Sequence, residues 1–196
     1  MKHACLFLVA VSLSLPDLAA AQMHPLPRPE NCTVQPVIVG DSNGMLIGSG
    51  YRVIVRDSQN RPIEGTQVSV NFQQGVFPYE QQEPGTSVAC ATRIISRVSD
   101  VNGLVVFAPR LGGFVNAAVM AVKGDGVFLA TIAGRSTDLD ASGATDVNDL
   151  NLFRQNYFNN PSAPETDFDQ SGATDVGDLA IFRQVYFNDL PGVVCH

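Results

Sequence analysis

From residue 34 to residue 132 short apolar-rich runs, several of them alternating apolar with polar side chains, are separated by turn residues; beyond residue 136 apolar residues recur at every third or fourth position. The first regime is that of half-buried strands and the second that of amphipathic helices. Tyr51, Val53 and Val55 alternate with Arg52 and Arg56 around Ile54, and Val68, Val70 and Phe72 alternate with Gln67, Ser69 and Asn71. Val37-Ile38-Val39 and the stretches 88–98, 104–108, 117–122 and 127–132 are further short β-rich runs. Asp41-Ser42-Asn43-Gly44 and the stretch 57–62 supply turn chemistry between them, and Asn102-Gly103 and Asp125-Gly126 are hairpin signals. About seven short strands without a long helical pattern predict an antiparallel β-sandwich over residues 34–135. Residues 73–85, rich in Gln, Pro and Gly, read as a mobile loop and a candidate binding edge.

The helical regime is duplicated. Thr137-Asp138-Leu139-Asp140-Ala141-Ser142-Gly143-Ala144-Thr145-Asp146-Val147-Asn148-Asp149-Leu150 returns 29 residues later as Thr166-Asp167-Phe168-Asp169-Gln170-Ser171-Gly172-Ala173-Thr174-Asp175-Val176-Gly177-Asp178-Leu179. Each copy places oxygen-bearing side chains at loop positions 1, 3, 5, 9 and 12, with glycine at 6. Oxygens at alternating positions wrap a hard cation, position 7 offers a carbonyl, and the glycine allows the sharp turn. The first ligand set is therefore Asp138, Asp140, Ser142, the carbonyl of Ala144, Asp146 (directly or through water) and Asp149. The second is Asp167, Asp169, Ser171, the carbonyl of Ala173, Asp175 and Asp178. These sets predict two Ca²⁺ ions. Asp at position 12 in place of Glu, and a neutral Ser at position 5, predict affinity in roughly the micromolar-to-millimolar range.

Leu150, Phe153 and Tyr157 in one copy, and Leu179, Phe182 and Tyr186 in the other, form an apolar stripe on the helix after each loop. A second apolar face, Leu152, Phe158, Ile181 and Phe187, is left to dock elsewhere. A loop followed by one helix, with no entering helix, is half an EF-hand. Two such halves with Asp at position 12 resemble a type I dockerin over residues 137–189. That resemblance implies a module, residues 136–190, that folds around two calcium ions and docks on a cohesin domain of another protein. It also implies partner contacts at positions 10 and 11, which are Val147, Asn148, Val176 and Gly177; many cellulosomal members carry hydroxyl residues there. The strand pattern from Val53 to Val68, with Ser99-Asp100-Val101-Asn102-Gly103, resembles the bacterial Ig-like domains of surface adhesins.

Charge divides along the same line. Residues 137–196 hold ten Asp or Glu against Arg154 and Arg183, whereas residues 1–136 hold nine acidic against ten basic residues. The net charge of −7 is thus concentrated in the loops, and no basic stripe exists for nucleic acid or an anionic membrane surface. Residues 1–21 read as a signal peptide with an Ala19-Ala20-Ala21 cleavage site, predicting export of a chain with no inserted membrane segment. Residues 22–33 read as an extended lead-in and 191–196 as a tail. Of Cys32, Cys90 and Cys195, the preferred disulfide is Cys32–Cys90. Cys195 is then free, a cross-link between chains, or the true partner of Cys32.

No catalytic arrangement stands out: Gly40-Asp41-Ser42-Asn43-Gly44 has Gly-x-Ser-x-Gly spacing but lies in the turn chemistry after the first strand-like run, there is no His-Glu-x-x-His, and histidine occurs only at His3, His24 and His196. Glu64, Glu80 and Glu83 are scattered, where glycosidase chemistry needs two positioned carboxylates. The expectation is a non-catalytic, exported assembly or adhesion protein whose calcium module engages a cohesin-type partner. The alternative is a structural protein whose module packs on its own sandwich.

Overall fold

The computed structural model describes residues 24–45, 47–72 and 75–196; the signal-peptide reading lies outside them. Eleven strands precede two helices: β1 Thr33–Val34, β2 Val37–Gly40, β3 Tyr51–Ile54, β4 Gln67–Asn71, β5 Val76–Pro78, β6 Ser87–Ala89, β7 Ile94–Val98, β8 Leu104–Phe107, β9 Leu111–Gly113, β10 Val115–Gly124, β11 Val127–Ser136, α1 Val147–Asn159 and α2 Val176–Phe187. Six strands form one sheet in the order β2-β11-β10-β4-β7-β6, three form another as β1-β3-β8, and β5 pairs with β9. Tyr51, Val53, Val105 and Phe107 of the small sheet share one apolar cluster with Val68, Val70, Ile95, Met120, Val122 and Ile132 of the large one. The chain is mainly β, with two sheets across a common core, an arrangement consistent with a β-sandwich.

The expectation of a wholly antiparallel sandwich is corrected at one place. β2 runs parallel to β11, pairing Val37 with Ala133, Ile38 with Gly134 and Val39 with Arg135. A parallel pair is characteristically covered on both faces and reads as a continuous apolar run, which is what Val37-Ile38-Val39 is. Ile38 joins the inter-sheet cluster, while Val37 and Val39 join a second cluster with Leu139, Phe153, Phe168 and Phe182 from the loops and helices. One short strand thus serves two cores.

Three local expectations also change. The run 88–98 is a hairpin of β6 and β7, not one strand, because Arg93 reverses the chain at φ 52° after a 3-10 turn at Cys90–Thr92. Asn102-Gly103 makes a turn, closed by the Gly103 amide on the Asp100 carbonyl at 2.9 Å, but it connects strands of different sheets. Asp125-Gly126 does close the β10–β11 hairpin, with φ of 45° and 82°. The supposed mobile loop is pinned through β5, and its Tyr79 is fully buried.

The disulfide expectation is overturned. Cys90 bonds Cys195, with Cα atoms 4.9 Å apart, and among the described residues Cys32 is the free thiol, beside the Arg56 backbone. The physical reason is the path of the tail. It returns to β5, where the Cys195 amide donates to the Pro78 carbonyl and the Glu80 amide to the Val193 carbonyl, each at 2.8 Å. Val194 bridges Tyr79 antiparallel. The C-terminus is therefore an extra strand-like segment on the sandwich, locked covalently next to β6.

Candidate metal centres

The first loop starts where β11 stops. Strand pairing ends at Ser136, and Asp138 forms a parallel bridge with Gly112, its carbonyl accepting from the Gly113 amide at 2.6 Å. The second loop follows a 3-10 turn at Pro164–Thr166. Both loops then turn in the same way: position 4 is left-handed in each (Ala141 φ 57°, Gln170 φ 61°), and so is the glycine at position 6 (Gly143 φ 96°, Gly172 φ 95°). The glycines are required there because an L side chain is strained at such φ.

This turn brings distant carboxylates together. One ligand oxygen each from Asp138, Asp140 and Asp149 lies within 4.8 Å of the others, and the same holds for Asp167, Asp169 and Asp178. The position-12 carboxylates are held by backbone amides. Asp149 accepts from Asp140 at 3.1 Å and Asp146 at 2.8 Å; Asp178 accepts from Phe168 at 2.6 Å, Asp169 at 3.1 Å and Asp175 at 2.8 Å. Ser142 Oγ and Ser171 Oγ donate to the carbonyls of Ala144 and Ala173 at 3.3 and 3.1 Å, gathering the oxygens of positions 5 and 7. Asp146 and Asp175 stand apart from the triads. Each is a helix N-cap in a capping box with the Asp three residues on, accepting from the amide of Asn148 or Gly177 at 2.7 Å.

The donor set is all oxygen, which suits a hard divalent cation. Two observations test the fit. Asp167 Oδ1 is buried and has no hydrogen-bond partner, the condition a bound cation relieves. Asp138 and Asp149 are fully buried, and burial pushes their carboxyls up to about 7 and about 6. Burial also raises Asp178. Clustered acids in such a place favour either protons or a metal. The residues fit two cations.

Several participants were not legible as such. Tyr79 donates its hydroxyl to Asp138 Oδ2 at 2.6 Å, and Arg135 donates to the Asp167 carbonyl while its guanidinium lies 3.4 Å from Asp167 Oδ2. Sheet residues therefore reach the first ligand of each loop. Thr137–Thr145 and Thr166–Thr174 hydroxyl pairs, at 2.9 and 2.7 Å, brace each loop from within. The repeat contained that signal, since both threonines recur in both copies. Leu139 and Phe168, at position 2, point into the helical core, where the Phe153 and Phe182 rings lie 5.2 Å apart. Ile181 joins this core, whereas Leu152, Phe158 and Phe187 stay exposed.

Of the candidate partner positions, Val147 and Val176 are exposed on the first turn of each helix, and Asn148 is exposed beside Val147. Gly177 is confined: a Cβ there would lie 2.6 Å from Asp169 Oδ2. Among the described residues no helix is long and apolar enough to cross a membrane. Comparison with models of known families, with curated proteins and with solved structures finds no match to this chain.

Proposed function

We propose that this is an exported, non-catalytic calcium-binding protein in which an Ig-like sandwich carries a dockerin-like module with two Ca²⁺ sites. The observation that carries the reading is the recurrence of one carboxylate triad, Asp138–Asp140–Asp149, as Asp167–Asp169–Asp178 with the same backbone turn. Calcium, when bound, supplies the positive charge that lets the two buried acids of each triad remain ionised. Because folded loops bind it far better than disordered ones, its binding free energy stabilises the module. Val147, Asn148, Val176 and Gly177, together with the exposed Phe158 and Phe187, then form the face offered to a cohesin-type domain. A calorimetric titration of the metal-stripped mature chain tests the premise, with two ions per chain expected. Uptake of none would sink the reading. Capture by a cohesin domain that persists in chelator would remove the proposed calcium control.

A second reading, in which the module serves its own sandwich as a calcium-stabilised cap without a partner, is favoured by one specific feature. Val37 and Val39 of β2 lie in the same apolar cluster as Phe153, Phe168 and Phe182. Arg110 also donates to the Leu190 carbonyl, and Ser42 donates to Asp189. Calcium-induced shifts at β2 amides, with no cohesin captured, favour the cap; capture favours assembly.

A further inference from the structure

The two loops share a sequence grammar but not a neighbour at their first ligand. Asp138 meets the neutral hydroxyl of Tyr79, whereas Asp167 meets the guanidinium of Arg135. Arg135 projects from β11 on the same face as Val39, its register partner in β2, and is only 8% exposed. The pair is incompletely satisfied on both sides: Arg135 Nε and Asp167 Oδ1 are each buried without a partner, and the contact at 3.4 Å is longer than a charge-assisted hydrogen bond. Replacing such pairs by apolar residues is often neutral or stabilising, so a fixed buried Arg invites another explanation than stability. Arg110, whose guanidinium lies beside Tyr79, does not play this part. It lies over the Tyr79 ring at 5.1 Å and donates to the carbonyls of Ser42 and Leu190.

We infer that Arg135 is a resident counter-cation of the second loop, which holds that loop's calcium affinity below that of the first. The inference rests on the reading that both loops take calcium. An ion drawn to Asp167 Oδ1 satisfies that orphaned oxygen, yet it arrives beside a fixed positive charge in a place where water screens little. In the first loop the equivalent acid is oriented by a neutral donor, and among the described residues no guanidinium forms an ion pair with it. Arg135 belongs to the sheet, so the sandwich sets a property of the module. The chain then loads in order, first loop before second, and the second loop responds to a higher calcium level than its ligands alone dictate.

The test is a calcium titration of the metal-stripped mature protein, followed at the amide resonances of Gly143 and Gly172. Gly143 is expected to reach half-saturation at about tenfold lower calcium, a difference equivalent to about 1.4 kcal/mol. Arg135→Gln should tighten the Gly172 step about tenfold and leave the Gly143 step where it was; Arg135→Lys, which keeps the charge, should preserve the order. Simultaneous or reversed saturation in the wild-type protein overturns the inference, as does an unchanged or weakened Gly172 step in Arg135→Gln. If the Gln variant does not fold, the wild-type order and the Lys variant decide. If neither glycine responds to calcium, it is the calcium reading that fails.

Discussion

The first and second loops were written with nearly the same residues, yet the fold treats them differently. At position 6 of the first loop, Gly143 accepts from the Gly192 amide at 2.8 Å, and the tail lies directly over it. At the same position of the second loop, Gly172 has open space where a Cβ would sit. Thr145 of the first loop is tied to Asp189 through its amide at 3.0 Å, whereas its counterpart Thr174 is tied to the segment just before its own loop, by its amide to the Pro161 carbonyl at 2.6 Å and its hydroxyl to the Ala163 carbonyl at 3.2 Å. Identical local chemistry thus produces one site built into the body of the protein and one at its margin. A repeat specifies the ligands; where each copy lands specifies what holds them.

The largest effect that would break this comparison is expected from alanine at the two glycines. Gly143→Ala adds a Cβ inside contact distance of the Gly192 carbonyl oxygen, and it also strains a backbone at φ 96°. Strain at such φ costs about 1–2 kcal/mol, and forcing atoms into a packed place adds about 1–3 kcal/mol. Gly172→Ala carries only the strain. Denaturant melts in saturating calcium should therefore show a loss of about 2–5 kcal/mol for the first variant and about 1–2 kcal/mol for the second. Equal losses would mean that the tail does not bear on the first loop.

A smaller effect is expected where the sandwich touches the first ligand. Tyr79→Phe removes the hydroxyl that donates to buried Asp138 and leaves that carboxylate one partner short. Hydrogen bonds to charged groups contribute about 1.5–3 kcal/mol. The loss should appear in the calcium affinity of the first loop, read at Gly143, with Gly172 unmoved. A loss shared by both loops would show that Tyr79 supports the module as a whole and not one site.

How much of this was readable beforehand follows from the range of each interaction. Alternation identified Tyr51, Val53, Val55, Val68, Val70 and Phe72 as inward-facing, and all six are buried. Helical spacing singled out Phe153 and Phe182, which form the heart of the second cluster. Both patterns are local, since they reflect the pleat of a strand or the turn of a helix. The acidic triads were legible for the same reason: a 12-residue loop brings its own ligands together. Tyr79 and Arg135 were not, because they meet the loops across 59 and 32 residues of sequence and carry no periodicity of their own. The Cys90–Cys195 bond likewise depends on where the tail returns. Only Val37-Ile38-Val39 hinted at the docking, by being apolar on both faces of a strand.

The smallest effect is one of sign, and it separates the metal-stripped protein from the loaded one. Burial raises Asp138 to about 7 and Asp149 to about 6 from an ordinary 3.8, and it raises Asp41, in the β2–β3 connection, to about 6. A carboxyl raised on folding binds protons more tightly in the native state than in the unfolded one, so its ionisation opposes folding. In the stripped protein, the contribution of these acids to stability should accordingly be fully present below about pH 4, fall as the pH rises from there, and level off above about 7. In saturating calcium the loop acids are ionised by the ion, which competes with protons, so over the same interval their contribution should rise with pH. Asp41, which belongs to neither triad, keeps its sign in both states and only offsets part of the difference. Melting temperatures measured across pH 4.5–7.5 should therefore run in opposite directions with and without calcium. Asp138→Asn should flatten the stripped curve by removing the group raised furthest. Parallel curves would mean that these acids do not change their charge on loading, and that the built-in loop differs from the marginal one in packing alone.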